Sequence, residues 1–280
     1  MFMVLCAAVM WGTTGTARAL APASAAPISV GAVRIIIGGA ILVVIALVRG
    51  TLRTRWPLLP TLIAAGAVAI YQLAFFEGVA RAGVAAGTIV TIGSSPVFAG
   101  LIAWAALGER PQARWIVATA LAICGVTLLA LPREGLLFEP LALALPLVSG
   151  MGYAVYATAT KSLLPGRDNV AVAAVAFGGG ALLLTPLLFF TDLSWLADPR
   201  GVAVALELGV VATAIAYILF TAALTTLPVS HGATLSLAEP LTASLLGVLV
   251  LGERLAPVQL LGAVLVLLGL LVLALAADRS

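Results

Sequence analysis

The sequence predicts an all-α integral membrane protein whose ten transmembrane helices form two inverted five-helix repeats. Three observations lead there. The chain is 63% hydrophobic and only 9% charged, with a mean hydropathy of +1.22, so it has too little polar surface to enclose a single core in water. Its apolar residues fall in runs of about 20, the length a helix needs to cross a hydrocarbon core of ~30 Å. Two stretches 144 residues apart read alike without a gap: Pro96 leads to Leu107-Gly108-Glu109-Arg110, and Pro240 leads to Leu251-Gly252-Glu253-Arg254. The match continues through Gly125 with Gly269, Leu129 with Leu273 and Leu131 with Leu275. Self-similarity at a fixed offset decides architecture ahead of any local signal.

Taken in order, the expected spans are 2–21, 28–48, 58–80, 84–107, 112–131, 140–162, 169–190, 202–225, 229–251 and 257–277. The first lacks a basic leader and carries Trp11-Gly12 in its apolar run, so it reads as a retained span and not as a signal peptide. Arg49 to Pro57, Gly108 to Pro111 and Pro165 to Asp168 supply the Pro, Gly and charge that turn the chain between spans. Gly178-Gly179-Gly180 in span seven, with Pro186 beyond, allows a close helix contact or a bend. No linker is long enough to separate soluble domains. Cys6 and Cys124 both fall in apolar runs and read as two reduced, packed thiols.

The repeat divides the chain into 1–135 and 136–280. Each half holds five spans, an odd number, so the second copy must enter the bilayer from the opposite face. Inverted repeats of this kind are the recurrent plan of secondary transporters, with a binding site near the midplane and alternating access from the rocking of the halves. Arg49, Arg53 and Arg55 form the densest basic cluster, which the positive-inside tendency assigns to the cytoplasm, and both termini with it. Arg110, Arg114, Lys161, Arg167 and Arg279 fall on that side; Arg18, Arg34, Arg81, Arg133, Arg200 and Arg254 fall on the other. A net charge of +3, so dispersed, excludes a nucleic-acid partner.

Counting inward at 1.5 Å per residue puts Trp11, Tyr71, Gln72, Ser94, Ser95, Tyr153, Tyr156, Tyr217, Ser236 and Glu239 near mid-bilayer. An interfacial belt would instead hold Trp and Tyr at the headgroups, so a central, partly wet cavity explains their depth. Helical spacing gathers Tyr153, Tyr156 and Thr160 into one stripe, Thr213, Tyr217 and Thr221 into another, and Thr88, Thr91 and Ser95 into a third. A single Thr in such a stripe serves helix packing more often than binding. The stripes with tyrosines are better site candidates, because a phenol at that depth needs a partner.

Glu239 is the sharpest residue. An ionised carboxylate at the bilayer centre costs several kcal/mol unless paired or hydrated, so an intramembrane acid faces a cavity and marks a pathway. Pro240 removes a backbone hydrogen bond beside it. Glu239 is thus a candidate protonation switch, or a partner for a substrate ammonium; the first-half counterpart is Ser95 before Pro96. Glu77 and Arg81 stand in the favourable i,i+4 ion-pair order. Arg18 and Arg34 are expected to snorkel to the interface in preference to binding a carboxylate, and Glu207 to pair with either of them. Glu109-Arg110 and Glu253-Arg254 are expected to cap and pack. The sole histidine, His231, makes no metal site by itself and reads as structural.

With ten spans as five plus five, Pro-x11-Gly-Glu-Arg at the ends of spans four and nine, Trp11-Gly12 and Glu239-Pro240, the whole chain resembles the drug/metabolite transporter superfamily and its EamA-type members. Within that superfamily it is similar to the amino-acid exporter branch, aromatic amino-acid exporters included. The resemblance implies export of amino acids or related small metabolites from the inner membrane, with organic cations and drugs as the alternative cargo. In that role Trp11, Tyr71, Tyr153, Tyr156 and Tyr217 would stack on an aromatic or apolar side chain or meet a cation over a ring. Thr14, Gln72, Ser95, Ser236 and Glu239 would orient polar groups. An intramembrane enzyme would need a nucleophile with a histidine, paired aspartates or a multi-His metal site. None is present, and Asp192 and Asp198 lie in a loop. A passive channel is the other competing class. There is no nucleotide-binding motif, so neither ATP nor another cofactor is expected; a small-molecule substrate and the lipid bilayer are the expected partners, and the sequence leaves proton-coupled and facilitated transport as alternatives.

Overall fold

The expected apolar runs are all helical in the computed structural model, which describes residues 1–82, 84–129, 140–252 and 254–277. In chain order they are α1 (Phe2–Ala19), α2 (Pro27–Val48), α3 (Leu58–Ala82), α4 (Val84–Leu107), α5 (Ala113–Leu129), α6 (Pro140–Leu163), α7 (Asn169–Leu184), α8 (Pro199–Leu224), α9 (Val229–Leu251) and α10 (Pro257–Ala277). Among the described residues eight helices are long and apolar enough to cross a bilayer, and α5, at 17 residues, is a shorter apolar one. The outward faces carry residues that water would not tolerate in such number, among them Leu182, Phe189, Phe190, Leu249 and Leu267. Cys124 also lies on an outward face and is exposed; it is free, as Cys6 is, but it is not packed in the interior.

Local chemistry sets the ends. Asp168 caps α7 by accepting from the backbone N–H groups of Val170 and Ala171 at 3.0 Å each, and Asp198 caps α8 from the Arg200 N–H at 2.8 Å. Gly108 and Gly252 adopt left-handed φ angles of 73° and 70°, which explains physically why Leu-Gly recurs in the two halves. Only glycine enters that region without cost, and it ends α4 and α9 at equivalent points. After Gly108, the Glu109 N–H closes the turn on the Ala103 carbonyl at 3.3 Å. Glu253 and Arg133, Leu131 and Arg279 lie outside the described residues.

Three spans are not the plain helices that their hydropathy implies; the seventh ends, after α7, in a 3₁₀ stretch, Thr185–Phe190. α8 passes through a π-helical stretch, Glu207–Ile215, and α9 through a 3₁₀ turn, Ser236–Ala238, immediately before Glu239-Pro240. The weakening expected at Pro240 is therefore a real interruption. Pro96, its counterpart, sits within an unbroken α4. Ser94 and Ser95 both donate to the Thr91 carbonyl, at 3.2 and 2.7 Å, in the turn before the proline.

The packing has a regular plan. α6 lies against α3 and α4, as α1 lies against α8 and α9; α7 packs on α3 as α2 packs on α8; α2 meets α7 and α5 meets α10. Glycine makes the closest of these contacts. A Cβ on Gly125 would lie 2.6 Å from the Gly262 carbonyl oxygen, and one on Gly269 2.7 Å from that of Ala118, so α5 and α10 approach backbone to backbone. Cβ atoms on Gly179 and Gly180 would meet Ala65 and Val68 at 2.6 Å. The triple glycine of α7 is thus used for close contact, Gly179 and Gly180 with α3 and Gly178 with Val43 of α2, and α7 is unbroken across it.

Candidate functional site

Seven of the helices converge on a central cavity of about 120 Å³, room for several waters or part of a small solute. Of the sequence candidates, Trp11, Thr14, Tyr71, Gln72, Ser95, Tyr153, Tyr217, Ser236 and Glu239 line it, and both halves of the chain contribute. Tyr156 does not. It is wholly buried behind the wall, against Tyr71, Tyr153, Tyr217 and Phe177 at ring separations of 5.4 to 6.4 Å. Its hydroxyl approaches those of Thr160 and Thr221, and none of the three meets hydrogen-bond geometry. Its role is to back the rings that do face the cavity.

Those rings form one continuous cluster. Trp11 lies 5.0 Å from Tyr217 and 5.5 Å from Phe220, and stands edge-on to Tyr153 at 6.5 Å. The Tyr71 and Tyr217 hydroxyls share a hydrogen bond of 3.0 Å, joining α3 of the first half to α8 of the second. Tyr153 and Ser236 are joined likewise at 3.2 Å. Gln72 donates to the Gly31 carbonyl at 3.3 Å, and Thr91 to that of Pro146 at 3.1 Å, so these side chains also fasten neighbouring helices. The Trp11 indole N–H is buried and has no partner.

Glu239 begins the second segment of α9, directly after the 3₁₀ turn. Its neighbour across the helix contact is Gly12: a Cβ there would lie 2.8 Å from the Glu239 carbonyl oxygen and 2.5 Å from the Thr242 Cβ. The pair Trp11-Gly12 thereby acquires a physical reading. The glycine lets α1 touch α9 beside the carboxylate, and the tryptophan next to it supplies the wall.

Arg34 departs from the sequence expectation. It does not snorkel to an interface; it is 9% exposed and lines the cavity. The π-helical stretch of α8 gives it acceptors, the Thr213 hydroxyl for Nε and the Ala212 carbonyl for Nη2, each at 3.2 Å. Only a three-dimensional irregularity creates that berth, and the apolar pattern of residues 207–215 carries no sign of it. Glu207 differs too: it pairs with neither Arg18 nor Arg34 but accepts from the Thr13 hydroxyl, and its other oxygen is buried and unpartnered.

Away from the cavity, the remaining polar groups tie helices together. Arg81 and Glu77 form the expected pair at 2.7 Å on an exposed face. Glu109 pairs with Lys161 at 2.8 Å and accepts from the Val229 backbone N–H at 2.8 Å, capping α9 from the end of α4. His231 lies 3.4 Å from the Ser230 hydroxyl, with no cluster of metal-binding side chains among the described residues.

Comparison with known proteins matches this architecture. The model of the EamA-like transporter family covers residues 1–131 and 140–275. The chain is 44% identical over 280 residues to the uncharacterized transporter YwfM of Bacillus subtilis, covering 99% of this chain and 94% of that one. It is 25% identical over 292 residues to the uncharacterized inner membrane transporter YicL of Salmonella typhimurium, covering 100% and 96%. A solved crystal structure superposes with a TM-score of 0.86 over 99% of this chain and 97% of that one; at 22% identity, it shows a shared fold.

Proposed function

The chain belongs to the EamA-like transporter family, a multi-pass membrane transporter by fold and by kinship, and on that premise we propose that it exports amino acids with aromatic or hydrophobic side chains, or closely related metabolites, from the cytoplasm. The observation that carries this reading is the cavity itself. It lies among helices of both halves, and its wall combines clustered aromatic rings with one carboxylate, Glu239. Rings offer apolar area and a π-face to a substrate side chain; the carboxylate offers a partner to an ammonium.

Alternating access is supported by the paired packing plan, in which the main contacts of α1 and α2 with α8 and α9 have exchanged counterparts in those of α6 and α7 with α3 and α4. The odd span count per half makes those halves inverted. Rocking of 1–135 against 136–280 would expose the cavity to one face and then the other, in the inner membrane with both termini in the cytoplasm. Glu239 is the group through which a proton gradient would act on the cavity. A multidrug or organic-cation exporter is the second reading, favoured by the same aromatic cage around an acid.

The test is counterflow in proteoliposomes, using labelled phenylalanine, threonine and organic cations, with and without a pH gradient, for wild type and Glu239→Gln. Unlabelled amino acid on the far side is expected to accelerate labelled uptake, which an open pore does not do. Loss of acceleration on Glu239→Gln, together with any response to the gradient, is the expected pattern. Liposomes that exclude all labels equally with and without the protein would overturn the proposal.

A further inference from the structure

We propose that Arg34 is the specificity-determining residue of the cavity, and that with Glu239 it selects zwitterions: Arg34 takes the substrate carboxylate and Glu239 the ammonium. This rests on the transport reading above and narrows it.

The argument begins with what Arg34 lacks. It is buried at the cavity wall, and its two protein acceptors are a hydroxyl and a backbone carbonyl, both neutral. Among the described residues it makes no ion pair within 4 Å. A guanidinium taken out of water without a counter-ion is expensive, and proteins seldom keep one unless an anion or hydration compensates it. Its planar fork suits a carboxylate held by two parallel N–H groups. The Thr213 and Ala212 contacts use Nε and one hydrogen of Nη2, leaving Nη1 and the rest of Nη2 for a ligand.

Glu239 is in the complementary condition. It lines the same cavity and has neither hydrogen bond nor ion pair among the described residues. Arg34 and Glu239 are the one basic and the one acidic side chain of the cavity lining, yet no ion pair joins them. One positive and one negative wall, held apart by separate helices, cancel in net charge while keeping a strong local field. An amine alone would leave Arg34 unsatisfied, and a carboxylate alone would leave Glu239 so. A zwitterion satisfies both, and unmatched buried charge is what penalises the wrong ligand.

The test uses the full chain in proteoliposomes. L-phenylalanine, L-leucine and L-threonine are compared, each beside the amine that lacks its carboxylate and the acid that lacks its ammonium, as competitors in counterflow. Wild type is expected to favour the zwitterion over both analogues. Arg34→Gln is expected to shift the zwitterion-to-amine ratio by about tenfold or more, and Arg34→Lys by less. The ratio is read within one preparation, so it does not depend on how much of a variant folds. If wild type carries amines in preference to zwitterions, or if Arg34→Gln leaves the ratio unchanged, the zwitterion inference falls and the transport reading stands. If no probe gives counterflow with wild type, both fall.

Discussion

At the scale of single residues, the cavity wall depends on pairs that satisfy each other. The Tyr71 and Tyr217 hydroxyls are both buried, and each is the other's hydrogen-bond partner at 3.0 Å. Removing one hydroxyl strands the other, which costs its desolvation, whereas removing both leaves two apolar rings of nearly the same shape. Tyr71→Phe and Tyr217→Phe are therefore each expected to destabilise the protein by about 1–2 kcal/mol, and the double variant by less than the sum. Unfolding of the purified variants, analysed as a double-mutant cycle, measures that coupling, and strict additivity would refute it. Such residues were visible in sequence because a phenol deep in a span is rare enough to demand a reason. Arg34 was not. A basic residue seven positions inside a span reads equally as a snorkelling side chain, and the acceptors that turn it inward belong to a helix 179 positions away.

At the scale of elements, the ten spans were legible because bilayer thickness fixes helix length, and the starts and stops because Pro, Gly and Asp act locally. The irregular turns were not legible alike. Glu239-Pro240 announced the interruption of α9, but Ser95-Pro96 gives the same signal in α4, which runs unbroken through it. The π-helical stretch of α8 has no local mark in the sequence; it lies where α2 comes close, and a Cβ on Gly38 would be 2.6 Å from the Thr213 Cβ. One join between elements can be tested directly. Glu109, from the end of α4, holds Lys161 of α6 and the first N–H of α9, while Lys161 also donates to the Leu227 carbonyl. Both side chains are mostly shielded from solvent, at 18% and 23% exposure, so the pair is worth more than a surface salt bridge. Lys161→Ala is expected to cost about 1–3 kcal/mol, read as a lower unfolding midpoint. Exchanging the two charges restores the ion pair but not the cap on Val229, so it should rescue only part of the loss. An undisturbed midpoint in Lys161→Ala would show that the join carries no stability.

At the scale of the whole molecule, span parity and charge together make the proposed orientation testable. Ten helices return the C-terminus to the side from which the N-terminus starts, and the loops after α2 and α6 lie on that side by the same count. The structure brings these two loops together: Arg49 pairs with Asp168 at 3.2 Å, and Arg167 donates to the Arg55 carbonyl at 3.0 Å while its guanidinium lies 5.5 Å from the centre of the Trp56 ring. The basic cluster of Arg49, Arg53 and Arg55 thus gains Arg167 as a neighbour. Two loops that sequence treats as separate signals act as one patch of positive charge, although Asp168 offsets part of it. Translocating that patch against the membrane potential is unfavourable, which gives the positive-inside tendency its physical content here. A cytosol-dependent fluorescent reporter fused to either terminus is therefore expected to be active, and a periplasm-dependent phosphatase fused to either to be silent. Replacing Arg49, Arg53 and Arg55 together by Gln should yield a mixed population, because the opposite face carries basic residues of its own in Arg81, Arg200 and Arg254. Termini found on opposite sides would refute the span count, and both termini outside would refute the orientation while leaving the count intact.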